Sequence, residues 1–299
     1  MERVCSPPPS RSATRAFSWY FLWDFGLLSF TWFFKSRLRQ VCSGIGVARS
    51  VLNLLRNRKS IRIFRPSAIS EEVLRLILEA GIRAPTYLQS YTIIQVRDEE
   101  KKEELAKLCN EKIIKGASAI FLICADLYRT RIMLDMLGHE HVLQSDKHPI
   151  ESILAVFDAG LMVENMIIAA EALGLGSVIL DCPLIECKRF SELFELPKGV
   201  TPLVLLCIGE RGEVPPLRPR IPIDQILHFD RYGEISEERL KEYLEELEKH
   251  MEIENYVRKY AGMDLKYLDY LRLKTELTNE SKKVNDEIQR FLKENLIKT

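Results

Sequence analysis

The segment from Ile153 to Leu173 sets the first constraint on this chain. It reads as one long helix, apolar on nearly all sides and ended by Gly174 and Gly176. Such a helix must be buried on most of its surface, so the fold has to supply cover around it. The same apolarity predicts a subunit boundary there, with Ile167 on the buried interface. Shorter elements surround it in the sequence. Ser70-Glu71-Glu72 opens a helix with a capping hydroxyl and two acids at the positive end of the dipole, and Gly81 ends it. Thr92 to Val96 and Ala119 to Ala125 read as strands, with a helix from Glu99 to Leu108 between them. Ser177 to Leu180 and Val204 to Gly209 are two more strands, separated by a helix from Phe190 to Phe194. Ser236 caps a last strong helix with the stripe Leu240, Leu244, Leu247 and Met251. Short strands separated by more numerous helices give an α+β class, a small central sheet wrapped by long helices.

Lys and Arg together number 43, as do Asp and Glu. No global field therefore draws nucleic acid or an anionic membrane, and any anion site has to be a local cluster. The seven cysteines include no CxxC pair, and four lie in or beside apolar runs where a thiol packs as a small hydrophobe. That usage argues for a reducing compartment, a cytoplasmic one, rather than a disulfide framework. His139 and His141 form an H-x-H pair without further ligands at metal spacing, which reads as a solvated loop and no metal site. The histidine-bearing segment from Tyr128 to Ile150 is the expected substrate-facing loop.

Residues 1–46 differ from the rest. A Pro- and Arg-rich start precedes an aromatic run from Phe17 to Phe34, interrupted by Asp24 and flanked by basic residues. Eighteen mostly apolar residues reach only the lower limit for a spanning helix, and a central Asp costs about 3 kcal/mol on insertion. Three readings compete: a membrane anchor, an interfacial segment, or sequence upstream of the true start. The last is favoured, with the anchor second, because regular amphipathic patterning begins at Val47. Gly44-Ile45-Gly46 is an isolated fragment with no strand before it, so no Rossmann nucleotide site is read there. The expected organisation is an extension over 1–46, a main domain over 47–235 and a charged helical extension over 236–299.

Two clusters carry chemistry. In Arg56-Asn57-Arg58-Lys59-Ser60-Ile61-Arg62-Ile63-Phe64-Arg65, five of ten residues are basic and none is acidic. Like charges held together destabilise a fold unless an anion is expected, and arginine offers forked donors suited to phosphate. The second is Leu217-Arg218-Pro219-Arg220-Ile221-Pro222, in which prolines hold two arginines in extended geometry. Each alone is a weak signal, and a solvated basic helix end explains the first almost as well.

Together they resemble the flavin nitroreductase family, in order and spacing. Arg58-Lys59-Ser60-Ile61-Arg62 looks like that family's opening signature, and Ala84 to Ser90 resembles its A-P-S loop in the NADPH-flavin oxidoreductase branch. Asn110-Glu111-Lys112, the helix from Asp158 to Gly176 and the Arg218-Pro219-Arg220 motif are also similar to family segments. The likeness covers residues 49 to about 235. It implies an FMN-dependent enzyme with NAD(P)H as co-substrate, a homodimer that shares its sites, and a small-molecule electron acceptor. Carried over, Arg58, Ser60, Arg62, Arg218 and Arg220 would hold the phosphate and ribityl chain, with Lys59 between them. Pro85, Thr86 and Gln89 would come from the neighbouring subunit, and Asn110 would bond the ring's polar edge. Asp181 and Cys182 match the place where a backbone N–H meets flavin N5. Lys59 and Lys112 are candidates to balance the charge of reduced flavin, although each also reads as an ordinary surface lysine. No general base is needed, because the cofactor carries the hydride. A membrane-tethered reductive dehalogenase of the deiodinase type is the competing enzyme, and a flavin-binding module without turnover is the competing non-enzyme.

Overall fold

The computed structural model describes residues 50–145 and 148–296. The extension 1–46 and the Gly44-Ile45-Gly46 fragment lie outside the described residues. The chain divides into two compact units, Met1–Asn53 and Leu54–Thr299. Residues 50–57 are helical (α1), and everything described from Leu54 onward belongs to the second unit.

One five-stranded antiparallel sheet organises that unit. β5 (Val200–Arg211) is its centre, pairing on one edge with β3 (Ala119–Asp126) and on the other with β4 (Gly176–Leu180). The last two residues of β5 take the short β1 (Phe64–Arg65), and β2 (Tyr91–Val96) lies beyond β3. The β3–β5 register shifts between Ile123 and Cys124, where Pro202 is the partner of Cys124. A proline cannot donate to the ladder, so a central strand tolerates it at such an irregularity.

Both faces of the sheet are buried, which explains why β3 is continuously apolar rather than alternating. Ile120, Leu122 and Cys124 join one core with Leu105, Ile113, Ile114 and Phe190. Those partners come from α3 (Glu99–Leu108), α4 (Glu111–Gly116) and α8 (Cys187–Leu193). Phe121 and Ile123 point the other way, into a core with Leu74, Ile77, Met162 and Met166. These belong to α2 (Glu71–Gly81) and α6 (Pro149–Ala172). Each fully buried Leu, Ile or Phe contributes roughly 1.5–3 kcal/mol.

α2 is capped by Ser70, whose hydroxyl accepts from the Val73 N–H at 3.3 Å. α6 is the long apolar helix, and it splits along its length. Met162, Val163, Met166, Ile167 and Ala170 are buried in the chain's own core, whereas Ile150, Ile153, Val156 and Phe157 are exposed. Ile167, at 2% exposure, is thus not an interface residue as the sequence suggested. All-round apolarity cannot tell which stripe meets the sheet. Among the described residues α6 alone is long and apolar enough to cross a membrane, but it is this core helix.

Two further expectations are corrected. The segment Tyr128 to Ile150 is not an open loop: α5 (Leu127–Asp135) occupies its first part and a 3₁₀ turn spans Val142–Gln144. Within it the His141 ring is enclosed, its Nε2 lying 2.7 Å from Asp135 Oδ1. Cysteine spacing gave no reason to expect a disulfide, yet Cys109 and Cys182 are bonded across 73 residues of sequence. Long-range pairs of this kind leave no local pattern. Closing so long a loop contributes about 4 kcal/mol on chain-entropy grounds. Cys124, Cys187 and Cys207 are buried free thiols, and burial pushes Cys124 and Cys207 up to about 12.

Beyond β5 come α9 (Glu237–Glu254), a π-turn over Val257–Ala261, α10 (Tyr267–Thr275) and α11 (Asn279–Asn295).

Candidate functional site

The basic segment after α1 is pinned across the sheet's end. Ile61 N–H donates to Ser177 O at 2.9 Å, and Ser60 bridges Ser177. The Ile61 side chain is fully buried. Gly176 makes the approach possible, since a Cβ there would lie 2.7 Å from Ile61 Cγ1. Gly212 does the same further along, where a Cβ would meet the Ile63 carbonyl at 2.8 Å. These contacts fix where the cations around Ser60 can sit.

They sit around one cavity of about 440 Å³. Arg56, Arg58, Lys59 and Arg62 line it from the first cluster, Arg218 and Arg220 from the second, with Ser60 among them. Glu164 is the one acid in the lining. Two clusters some 160 residues apart in sequence therefore face one space. The side chains of Arg56, Arg58, Lys59 and Arg220 make no hydrogen bond or ion pair among the described residues, leaving their donors to a ligand. Arg58 also acts on Glu171, a buried carboxylate that burial raises above the usual range although Arg211 and Arg58 oppose it.

Arg62 and Arg218 are held differently, by residues that the sequence gave no cause to single out. The Arg218 guanidinium pairs with Glu254 at 3.2 Å and lies 4.5 Å from the Tyr256 ring centroid. The Arg62 guanidinium is 5.3 Å from the centroid of Tyr256 and 5.2 Å from that of Tyr260. Both are within cation–π range. Glu213, just past β5, joins this group to the backbone. Its carboxylate accepts from the Arg62 N–H at 2.7 Å, the Ile63 N–H at 3.1 Å, the Tyr260 hydroxyl at 2.6 Å and the Lys259 ammonium. Burial works to raise Glu213, but those hydrogen bonds outweigh it and hold the carboxyl below its ordinary range. The phenol of Tyr260 is pushed up by burial and by Glu213. In sequence these residues are only an acid after a strand and an i,i+4 tyrosine pair, so nothing marks them.

The remaining expected residues lie elsewhere. Asn110 caps α4, accepting from the Ile113 N–H at 3.3 Å, and its amide donates to Tyr260 O at 3.3 Å. Asp181 is exposed before the four-residue α7 (Cys182–Ile185), and Cys182 is in the disulfide. Lys112 is exposed on α4 and does not line the cavity. Pro85, Thr86 and Gln89 are on the α2–β2 loop and do not line the cavity of their own chain. That loop is held rigidly. The buried Asp158 carboxylate accepts from the Tyr87, Leu88 and Ser90 N–H groups at 2.9, 3.3 and 3.2 Å. Gln89 adopts φ +53°, with Arg129 donating to its carbonyl at 2.8 Å.

Forked guanidinium donors converging on a small space suit a phosphate monoester, whose oxygens take charge-assisted bonds from several sides. The chain's donors thus fit the terminal phosphate of a flavin mononucleotide.

Comparison with known proteins bears on the family and the fold. The profile of the nitroreductase family matches residues 55–210. An NADPH-dependent oxidoreductase of Staphylococcus saprophyticus is 33% identical over 205 residues, 66% of this chain and 81% of the relative. An FMN reductase (NADPH) of Bacillus subtilis is 30% identical over 187 residues, 62% of this chain and 75% of the relative. The solved NfrA1 nitroreductase from B. subtilis superposes with a TM-score of 0.66 at 26% identity, over 81% of this chain and 98% of that one. Sheet, helices, cation clusters and relatives lead to one conclusion: the chain is an oxidoreductase of the nitroreductase family.

Proposed function

We propose that this protein is an FMN-dependent oxidoreductase that takes two electrons from NADPH and passes them to a small acceptor. The carrying observation is the cavity on which six cations converge, four of them with side chains that make no hydrogen bond or ion pair among the described residues. It would seat the FMN phosphate through Arg58, Arg220 and Lys59, with Ser60 as a hydroxyl donor and Arg62 and Arg218 held in place by the C-terminal segment. Bound flavin supplies the hydride chemistry, and the chain's residues bind and orient it. The names of relatives favour NADPH over NADH, a choice the sequence left open. One flavin face serving both donor and acceptor in turn would give ping-pong kinetics. A nitroaromatic, a quinone or free flavin is the class of acceptor.

The working unit in this reading is a homodimer. Ile150, Ile153 and Phe157 form one exposed apolar stripe on α6, at the spacing that places side chains on a common face. The rigid loop carrying Pro85, Thr86 and Gln89 does not line its own chain's cavity, which suits service to the partner's. Asn110, Asp181 and Cys182 would meet the ring.

The test is direct. Purified protein should carry flavin absorption bands, release FMN on denaturation, and lose the bands within seconds of anaerobic mixing with NADPH. Colourless protein that binds no added FMN would overturn the proposal. Flavin that binds but is not reduced by NADPH or NADH would leave a binding module.

A further inference from the structure

The Cys109–Cys182 disulfide is joined at both ends, through intervening residues, to the cavity residues Arg62 and Ser60. On one side, Cys109 is followed by Asn110, whose amide donates to Tyr260 O at 3.3 Å, and the Tyr260 ring lies 5.2 Å from the Arg62 guanidinium. On the other, the cavity residue Ser60 bridges Ser177 in β4, and β4 leads straight to Cys182. From Ser177 to Leu180 the strand covers roughly 10 Å, at about 3.3 Å per residue. That is the scale of the chain linking a flavin's phosphate to its ring. Both cysteines are only partly buried, unlike the three enclosed thiols Cys124, Cys187 and Cys207.

We propose that Cys109 and Cys182 form a redox-active pair, a second two-electron store that dihydroflavin reduces. The inference rests on the FMN reading above. The disulfide accepts two electrons and two protons. Its S–S bond breaks, an S–H bond forms on each sulfur, and the dihydroflavin donor is left oxidised. Each subunit then holds four electrons in all, two on flavin and two on the thiols. A bridge that only braces α3 against α7 has no such exchange.

The experiment is an anaerobic NADPH titration of the FMN-loaded full-length protein, followed by alkylation and peptide mass analysis. Two equivalents of NADPH per bound flavin are expected before free NADPH persists, against one in Cys182→Ser and in Cys109→Ser. Alkylation of the reduced wild-type protein should label Cys109 and Cys182 and spare the buried Cys124, Cys187 and Cys207. The wild-type labelling stands without the variants, should those fold poorly. Complete flavin bleaching at one equivalent, with the two cysteine peptides still linked, overturns the proposal and leaves the flavin reading intact. Opening of the bridge by NADPH in flavin-stripped protein also overturns it, because flavin is then not the donor. Failure of NADPH to bleach the flavin at all overturns both.

Discussion

Glu254 closes on Arg218 as a buried ion pair, its carboxylate 3.2 Å from the guanidinium and its side chain only 2% exposed. The pair joins the late arginine motif to the end of α9, so that helix end is built into the cationic site. Removing one member of a buried pair strands the other charge, at about 3–5 kcal/mol. Arg218→Ala should therefore lower the unfolding free energy by that order, and Glu254→Gln by less, since an amide can still accept from Arg218. Denaturant unfolding of the two variants checks this. Wild-type stability in Arg218→Ala would show that the pair contributes nothing.

Arg220 is the contrasting case. It lines the same cavity, is exposed, and has no hydrogen bond or ion pair among the described residues. Arg220→Ala should leave the melting temperature unchanged and weaken FMN by roughly tenfold or more. That corresponds to one charge-assisted contact of about 1.5–3 kcal/mol. A flavin fluorescence titration measures it, and an unchanged Kd would remove Arg220 from the phosphate site.

On α6 the structure separates two substitutions that the sequence could not. Ile167 is 2% exposed inside the core, so Ile167→Asp should abolish folding rather than dissociate a dimer. Phe157, at 60% exposure, carries the outward stripe. Phe157→Asp should give a folded monomer by light scattering, with native far-UV circular dichroism and reduced flavin content. A Phe157→Asp protein that remains dimeric would place the interface elsewhere.

The contrast marks what a sequence can say. Periodicity and capping located the α2 start at Ser70, α3, the strands β2, β3 and β4 and the second half of β5, because those signals are local. The two-residue β1 inside the basic cluster was missed. Each arginine cluster was legible as an excess of like charge, and their convergence on one cavity follows from the Ile61–Ser177 and Phe64–Arg211 pairings. What stayed hidden depends on distant segments meeting: Glu213 gathering Arg62, Tyr260 and Lys259, and Cys109 finding Cys182. The two faces of α6 were hidden for another reason. Uniform apolarity holds no record of which stripe meets the sheet.

Glu213 makes the site sensitive to acid. Its carboxyl is held below its ordinary value of 4.5 in the folded protein, where burial is outweighed by hydrogen bonds from Lys259, Tyr260 and the Arg62 backbone. A group depressed on folding contributes stability above its unfolded value and loses it as pH falls through the folded one. The contribution should therefore be complete at neutral pH and decline below about pH 4.5. Glu213→Gln removes the charge at every pH. The melting temperature of the wild type should exceed that of Glu213→Gln at pH 7, and the difference should shrink as pH falls from 5 to 3. FMN release should follow the same course in the wild type, because protonated Glu213 no longer holds Lys259 and Tyr260 against the Arg62 segment. A gap between the two proteins that stays constant down to pH 3 would show that the Glu213 charge does not organise this site.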